Sequence, residues 1–241
     1  MKFSTLSSLL LATAFSAQAQ LTGHVDMYSS YVLRGSATTA EASIPAVQWG
    51  LDYALPVGVY VGYWGSSLAY QATVDPGEIG NQQSIENDFY AGYAGKAGEV
   101  GYDLGVTSYV YFPDYISKTL GIEPKAKVSF MDAFVMAQFN AKDVTYSNMG
   151  DTYVTAGYSK VLPFDSTVTA GAVVGWYFYA DSGKYASSKV KNSQAFRNVT
   201  ISVSKKVTPN LVVGFDGIIG GKSAMDADLG NALVAHASVV F

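Results

Sequence analysis

Taken from Leu21, every second residue of LTGHVDMYSSYVLRG is Leu, Gly, Val, Met, Ser, Tyr and Leu, and the residues between are Thr, His, Asp, Tyr, Ser, Val and Arg. A period of two belongs to an extended chain, whose successive side chains point to opposite faces. The same alternation predicts strands over 21–35, 46–55, 59–70, 87–95, 100–112, 130–140, 143–147, 152–161, 167–179, 195–207, 211–221 and 231–241. In TVTAGAVVGWYFY, Val168, Ala170, Ala172, Val174, Trp176 and Phe178 form an apolar face opposite Thr167, Thr169, Gly171, Gly175, Tyr177 and Tyr179. Val199, Ile201 and Val203 likewise oppose Asn198, Thr200, Ser202 and Ser204. The pattern leaves the faces of 59–70 and 152–161 unassigned.

The connections between these strands sort by parity. The even-numbered ones run to about 3, 4, 2, 5 and 3 residues, and the odd-numbered ones to about 10, 16, 17, 4, 15 and 9. Tight turns on one side and longer loops on the other mark a membrane barrel with short periplasmic turns, whereas a soluble sandwich has no reason to sort its loops. The prediction is therefore an all-β protein, an antiparallel transmembrane β-barrel of twelve strands. Segment 143–147 is short for the ~9–11 residues a tilted spanning strand needs, which leaves ten strands as the alternative.

Composition sharpens this picture. The chain has 241 residues, 14% of them charged, with 24 glycines, 18 tyrosines and no cysteine. Its opening, MKFSTLSSLLLATAFSAQAQ, has a basic start, a short apolar run and Ala17-Gln18-Ala19 as a small-x-small site. That is the pattern of a cleaved secretory signal peptide over 1–19, followed by one barrel domain over 20–241. Beyond it, no run of 18 apolar residues offers a membrane helix. An exported chain without disulfides must be held by its own hydrogen bonds and packing, and a closed barrel supplies both. The predicted location is the outer membrane of a Gram-negative bacterium.

The faces then separate candidate residues. Tyr31, Trp49, Tyr53, Phe89, Tyr93, Phe112, Trp176 and Phe241 fall on the apolar side near strand ends and are assigned to the lipid interface. A last strand closing on the aromatic Phe241 is the segment expected to engage barrel-insertion machinery. Facing the lumen are His24, Asp26, Arg34, Gln48, Asp52, Asp88, Asp103, Asp132, Lys206, Asp216 and His236, with Tyr28, Tyr90, Tyr109, Tyr177 and Tyr179 among them. Arg34 and Arg197 are the whole arginine content. A pore for acidic sugars or phosphate needs a ladder of basic side chains, so the expected solutes are cations or uncharged molecules. The competing reading is that the carboxylates pair across the barrel and plug it.

Little suggests catalysis. His24 and His236 are the two histidines, on the first and last strands, and they read more simply as hydrogen-bonding lumen groups than as a metal or base pair. There is no Gly-x-Ser-x-Gly elbow, no His-Glu-x-x-His and no phosphate-cradling loop. Asp226-Ala227-Asp228 is too sparse for calcium. The chain is read as a non-enzyme with no cofactor, no metal and no nucleic-acid partner. Lys118, Lys125, Lys127, Lys184, Lys189 and Lys191 fall on predicted long loops, where anionic lipopolysaccharide would be a partner alongside outer-membrane lipid. The expected state is a monomer passing small solutes. The alternative is a non-conducting barrel that binds a partner or the cell envelope through its outer loops.

Several motifs also resemble a known family. Ser30-Tyr31-Val32-Leu33-Arg34-Gly35, Pro45-Ala46-Val47-Gln48-Trp49-Gly50-Leu51-Asp52-Tyr53 and Gly58-Val59-Tyr60-Val61-Gly62-Tyr63-Trp64-Gly65-Ser66 are similar, in order, to the opening strands of the TorF-type porins, also called Gcw_chp proteins. Asp88-Phe89-Tyr90-Ala91-Gly92-Tyr93 and Tyr102-Asp103-Leu104-Gly105 continue the likeness. The resemblance implies an outer-membrane barrel acting as a porin, and it leaves the solute open.

Overall fold

The computed structural model describes residues 19–75, 78–112, 119–184 and 190–241. Twelve strands form among them: β1 Gln20–Tyr28, β2 Ala46–Ala54, β3 Val59–Asp75, β4 Glu78–Ala97, β5 Val100–Phe112, β6 Gly121–Phe130, β7 Ala133–Phe139, β8 Thr152–Leu162, β9 Asp165–Phe178, β10 Gln194–Lys206, β11 Leu211–Gly220 and β12 Asn231–Val240. Each pairs antiparallel with its neighbours in sequence, and β12 returns to β1, so the sheet is a closed barrel. The seam runs in register from His24↔Val240 to Tyr28↔His236. Beyond it, Gly23 and Phe241 exchange two backbone hydrogen bonds of 2.7 and 2.9 Å. Closure leaves no strand edge to satisfy, which is the condition for crossing hydrocarbon with strands.

The period-two pattern decides the faces. On β2, Val47, Leu51 and Tyr53 are exposed outside while Gln48 and Asp52 are buried inside. The faces left open by the sequence are now assigned. Tyr60, Trp64, Ser66, Tyr153, Thr155 and Ser159 point inward, and Val59, Val61 and Tyr158 point outward. Outside, the band is apolar on every side of the barrel, from Leu21 and Met27 through Leu104, Val135 and Ile201 to Phe215 and Leu233. Among the described residues no helix is long and apolar enough to cross a membrane.

Twelve strands is the predicted number, and the ten-strand alternative is excluded, but one strand was misplaced. Segment 143–147 is a loop holding a single bridge, Val144↔Ser147. The missing strand is β6, within a stretch predicted as loop, and the predicted strand 130–140 is cut by a turn at 131–132. The predicted strand 21–35 also stops at Tyr28. With these corrections the parity of the connections is cleaner. The β2–β3, β4–β5, β6–β7, β8–β9 and β10–β11 turns occupy only 55–58, 98–99, 131–132, 163–164 and 207–210. Opposite them lie connections over 29–45, 113–120, 140–151, 179–193 and 221–230. The exception moves from 148–151 to the β3–β4 hairpin, whose strands run to 17 and 20 residues. Of the predicted signal peptide, residues 1–18 lie outside the described residues.

Candidate functional site: the barrel lumen

Inward side chains of β1, β2, β4, β5, β11 and β12 bring most of the predicted lumen residues together. His24 Nδ1 lies 2.8 Å from Asp26 Oδ2. Tyr90 donates to Asp52 over 2.5 Å, and Tyr60 donates to Asp103 over 2.6 Å. Lys125 pairs with Asp103 at 2.6 Å. His236 stacks on Tyr28 with ring centroids 5.3 Å apart, and its Nε2 is 3.9 Å from Asp216. Gln48, Asp88 and Asp216 are buried on the same inner surface. Asp52 and Asp103 on the inner wall are thus each held by a tyrosine hydroxyl that donates to them, which fixes these acidic groups in position.

The β1–β2 loop, 29–45, enters this space. Leu33-Arg34-Gly35-Ser36 makes a tight turn closed by Ser36 N donating to Leu33 O over 2.9 Å. Arg34 (φ 46°) and Gly35 (φ 76°) are both left-handed, as a type I′ turn requires. Glycine is obligatory at 35 for space as well, because a Cβ there would collide with Asn198 Cβ. Arginine at 34 costs roughly 1–2 kcal/mol in backbone terms. Its side chain offsets this by reaching across the barrel to Glu123 on β6, with Nη2 2.7 Å from each carboxylate oxygen. The guanidinium also lies 4.9 Å from the Tyr153 ring centroid on β8. Glu123 further accepts from Tyr109 at 2.8 Å and Gln138 at 2.7 Å.

The other arginine holds the same turn. Arg197 is the extra residue at a register shift between Phe196 and Asn198, where β10 pairs with β9. A bulge re-aims its side chain. Arg197 Nε donates to the Arg34 carbonyl over 2.8 Å, Nη2 to Ser36 Oγ over 2.9 Å, and Nη1 to Tyr179 over 3.1 Å. The two arginines of the chain therefore meet at one hairpin that narrows the lumen. Beside it a cavity of about 1130 Å³, continuous with solvent, extends from Tyr31 and Gln48 to Met136, Tyr153 and Ile218.

Several assignments are corrected. Tyr31 does not face lipid: it sits on the inserted loop, is 5% exposed, and donates to Glu86 over 3.1 Å. Asp132 does not face the lumen: it lies in the β6–β7 turn, 3.9 Å from Lys160. Lys206 keeps inward parity but ends β10 exposed at the short-turn rim. Lys125 and Lys127 are not loop lysines: both are on β6, Lys125 buried against Asp103 and Lys127 Nζ 4.6 Å from the Phe134 centroid. Lys184 and Lys191 remain on the β9–β10 connection, and Lys118 and Lys189 lie outside the described residues. The other interface aromatics are outside: Tyr53, Phe89, Tyr93, Phe112, Trp176 and Phe241 are exposed, and Trp49 donates to Tyr63 on the outer face over 3.1 Å.

Glu86, Glu123 and the cations Lys125, Lys127 and Arg197 are lumen groups that the pattern did not assign. The first four lay in stretches read as loop. Both histidines point inward, and among the described residues no cluster of three or more His, Asp or Glu is arranged to hold a metal.

The barrel overlays solved structures. A structure of the KdgM porin matches with a TM-score of 0.52 and 10% identity, covering 92% of this chain and 98% of that one. A structure of the NanC porin matches with a TM-score of 0.50 and 13% identity, covering 92% and 99%. At such identities the likeness is one of fold. Outer membrane phospholipase A from Escherichia coli overlays more loosely, with a TM-score of 0.44, 11% identity, and 92% and 96% coverage. No curated protein sequence matches the chain. A family described as bacterial proteins of unknown function, Gcw_chp, matches residues 12–176. That span is more than half of the chain and includes every motif of the sequence resemblance, so the chain belongs to the Gcw_chp family.

Proposed function

We propose that this protein is an outer-membrane channel of a Gram-negative bacterium, passing small hydrophilic solutes by diffusion, with a weak preference for cations or uncharged molecules. The observation that carries the reading is a closed barrel, apolar outside, whose polar inner face surrounds a cavity continuous with solvent beside the Arg34 hairpin. That the overlaid barrels are named porins supports it. The preference follows from the lumen charges. Asp26, Asp52, Glu86, Asp88, Asp103, Glu123 and Asp216 face Arg34, Lys125, Lys127 and Arg197. The basic groups Arg34 and Lys125 are spent on Glu123 and Asp103. An acidic excess remains to favour cations. Outer-membrane lipid surrounds the band, lipopolysaccharide meets the lysines left on the β9–β10 connection, and the protein works as a monomer.

The test is single-channel recording of the refolded protein in a planar bilayer under a salt gradient. Discrete steps with a reversal potential on the cation side are expected. An anion-side potential removes the preference and leaves the channel. A silent bilayer, with the folded barrel confirmed by its gel shift, overturns the channel. The hairpin seated across the lumen favours the second reading in that event: a closed barrel that binds a partner through its long loops.

A further inference from the structure

The cavity beside the Arg34 hairpin has a division of labour in its walls. Its charged groups are engaged within the protein. Arg34 Nη2 donates to both oxygens of Glu123, Lys127 lies against Phe134, and Asp216 faces His236. Of its uncharged polar groups, Gln138, Tyr153 and Asn198 are hydrogen-bonded within the protein, but three others are not. The Gln48 side chain is 0% exposed, yet neither its Oε1 nor its Nε2 has a hydrogen-bond partner in the protein. Thr155 Oγ1 and Ser159 Oγ, on β8 across the cavity, are also buried without partners.

Buried polar atoms are nearly always satisfied, and each one left open costs about 1–3 kcal/mol. Three residues lining one cavity thus carry donors and acceptors that no group of the protein satisfies. An amide offers both a donor and an acceptor, and a hydroxyl rotates to offer either. This set matches a solute rich in hydroxyls and has no free charge to recognise an ion. Tyr28, Met136 and Ile218 line the same cavity and add apolar atoms of the kind that pack against the C–H groups of a sugar ring. The volume of about 1130 Å³ includes space open to solvent. Water centres can occupy about 100 Å³ of it, several times the roughly 10–15 Å³ that a single water needs, which leaves room for one small solute.

We infer that the cavity is a binding site for a neutral, polyhydroxylated solute of about monosaccharide size, with Gln48 as its central recognition group and Thr155 and Ser159 completing it. The inference deepens the channel reading and rests on it for the route of the solute, not for the binding itself. Gln48 is a specificity-determining residue in this scheme, whereas Arg34 shapes the wall.

The experiment is saturation-transfer NMR on the folded barrel in detergent, where no current is needed. Glucose, glucuronate, glucosamine and open-chain sorbitol serve as probes, matched in size and differing in charge or ring. Glucose is expected to show saturation, with glucuronate and glucosamine at least about tenfold weaker. Gln48→Leu is expected to weaken glucose about five- to tenfold, the loss of one or two neutral hydrogen bonds. Thr155→Val, which preserves shape, carries the test if Gln48→Leu fails to fold. Sorbitol equal to glucose supports the hydroxyl set as the recognised feature, and sorbitol weaker than glucose supports the set acting with the apolar platform. Absence of glucose saturation, or glucuronate or glucosamine binding as tightly as glucose, overturns the site. A silent bilayer with intact glucose binding would remove the channel reading alone.

Discussion

At the scale of single residues the ion pair of Arg34 and Glu123 matters most, because it ties an inserted turn to the far wall. Both side chains are mostly buried, at 14% and 7% exposure, and Glu123 collects Tyr109 and Gln138 as well. Removing one member leaves the other charge buried without its partner, which is costlier than removing both. Glu123→Gln is expected to destabilise the barrel by about 3 kcal/mol in urea unfolding from lipid vesicles. The double variant Arg34→Gln/Glu123→Gln should then cost clearly less than the sum of the singles. Equal additivity would mean that the pair is uncoupled. The sequence placed Arg34 on the lumen side but for the wrong reason. It read a strand through 35, since an Arg-Gly pair carries no strong turn signature, and the left-handed Arg34 is tolerated only because its guanidinium is so well held.

At the scale of strands, β3 and β4 exchange glycine and tyrosine. Tyr90 on β4 covers Gly62 on β3, its register partner, and Tyr60 on β3 covers Gly92 on β4. Each missing side chain is the space in which the other strand's ring lies flat, which frees its hydroxyl to reach Asp52 or Asp103. Gly62→Ala displaces only a ring, at an expected cost of about 1–3 kcal/mol, whereas Gly92→Ala also meets the Leu104 carbonyl at 2.6 Å and should cost more. Urea midpoints of the two variants, followed by tryptophan fluorescence, check the order.

Strands of this kind were legible because alternation ran unbroken. β6 was not, although Ile122, Ala126, Val128 and Phe130 do alternate with Glu123, Lys125, Lys127 and Ser129. Pro124 stands inside this run, and proline lacks the N–H that a strand ladder uses. The β6–β7 ladder starts only at Lys125, so the proline leaves no rung unmade on that side. The following turn was hidden too: Met131 takes φ 50° where glycine is usual, so nothing marked 131–132 as a break. The inner polar cavity was beyond reading from one chain, since Gln48, Thr155 and Ser159 come from strands on opposite walls.

At the scale of the whole molecule, the barrel depends on its seam. The last residue contributes more than an aromatic tip: Phe241 is paired by backbone to Gly23, and its ring lies where a Cβ on Gly23 would come within 2.6 Å. Deleting Phe241 removes two hydrogen bonds and the ring that covers Gly23. The expected outcome is a lower folding yield, with more of the protein running at the unfolded position on an unheated gel. A yield matching the full chain would show that the β1–β12 ladder from His24 to Tyr28 closes the barrel unaided. The parity of the connections was legible at this scale even with β6 misplaced, because the short turns at 55–58, 163–164 and 207–210 carry proline and ordinary turn residues.

That asymmetry of connections also gives the molecule a direction of travel. Carrying a turn of two to four residues through hydrocarbon strips water from few peptide groups, whereas carrying 140–151 or 179–193 through strips it from many. A barrel entering a vesicle from outside therefore goes in short side first and leaves its long loops behind. Barrels that enter this way are expected to share one orientation, with the long loops on the side of entry, and protease cleavage of those loops in intact vesicles checks it.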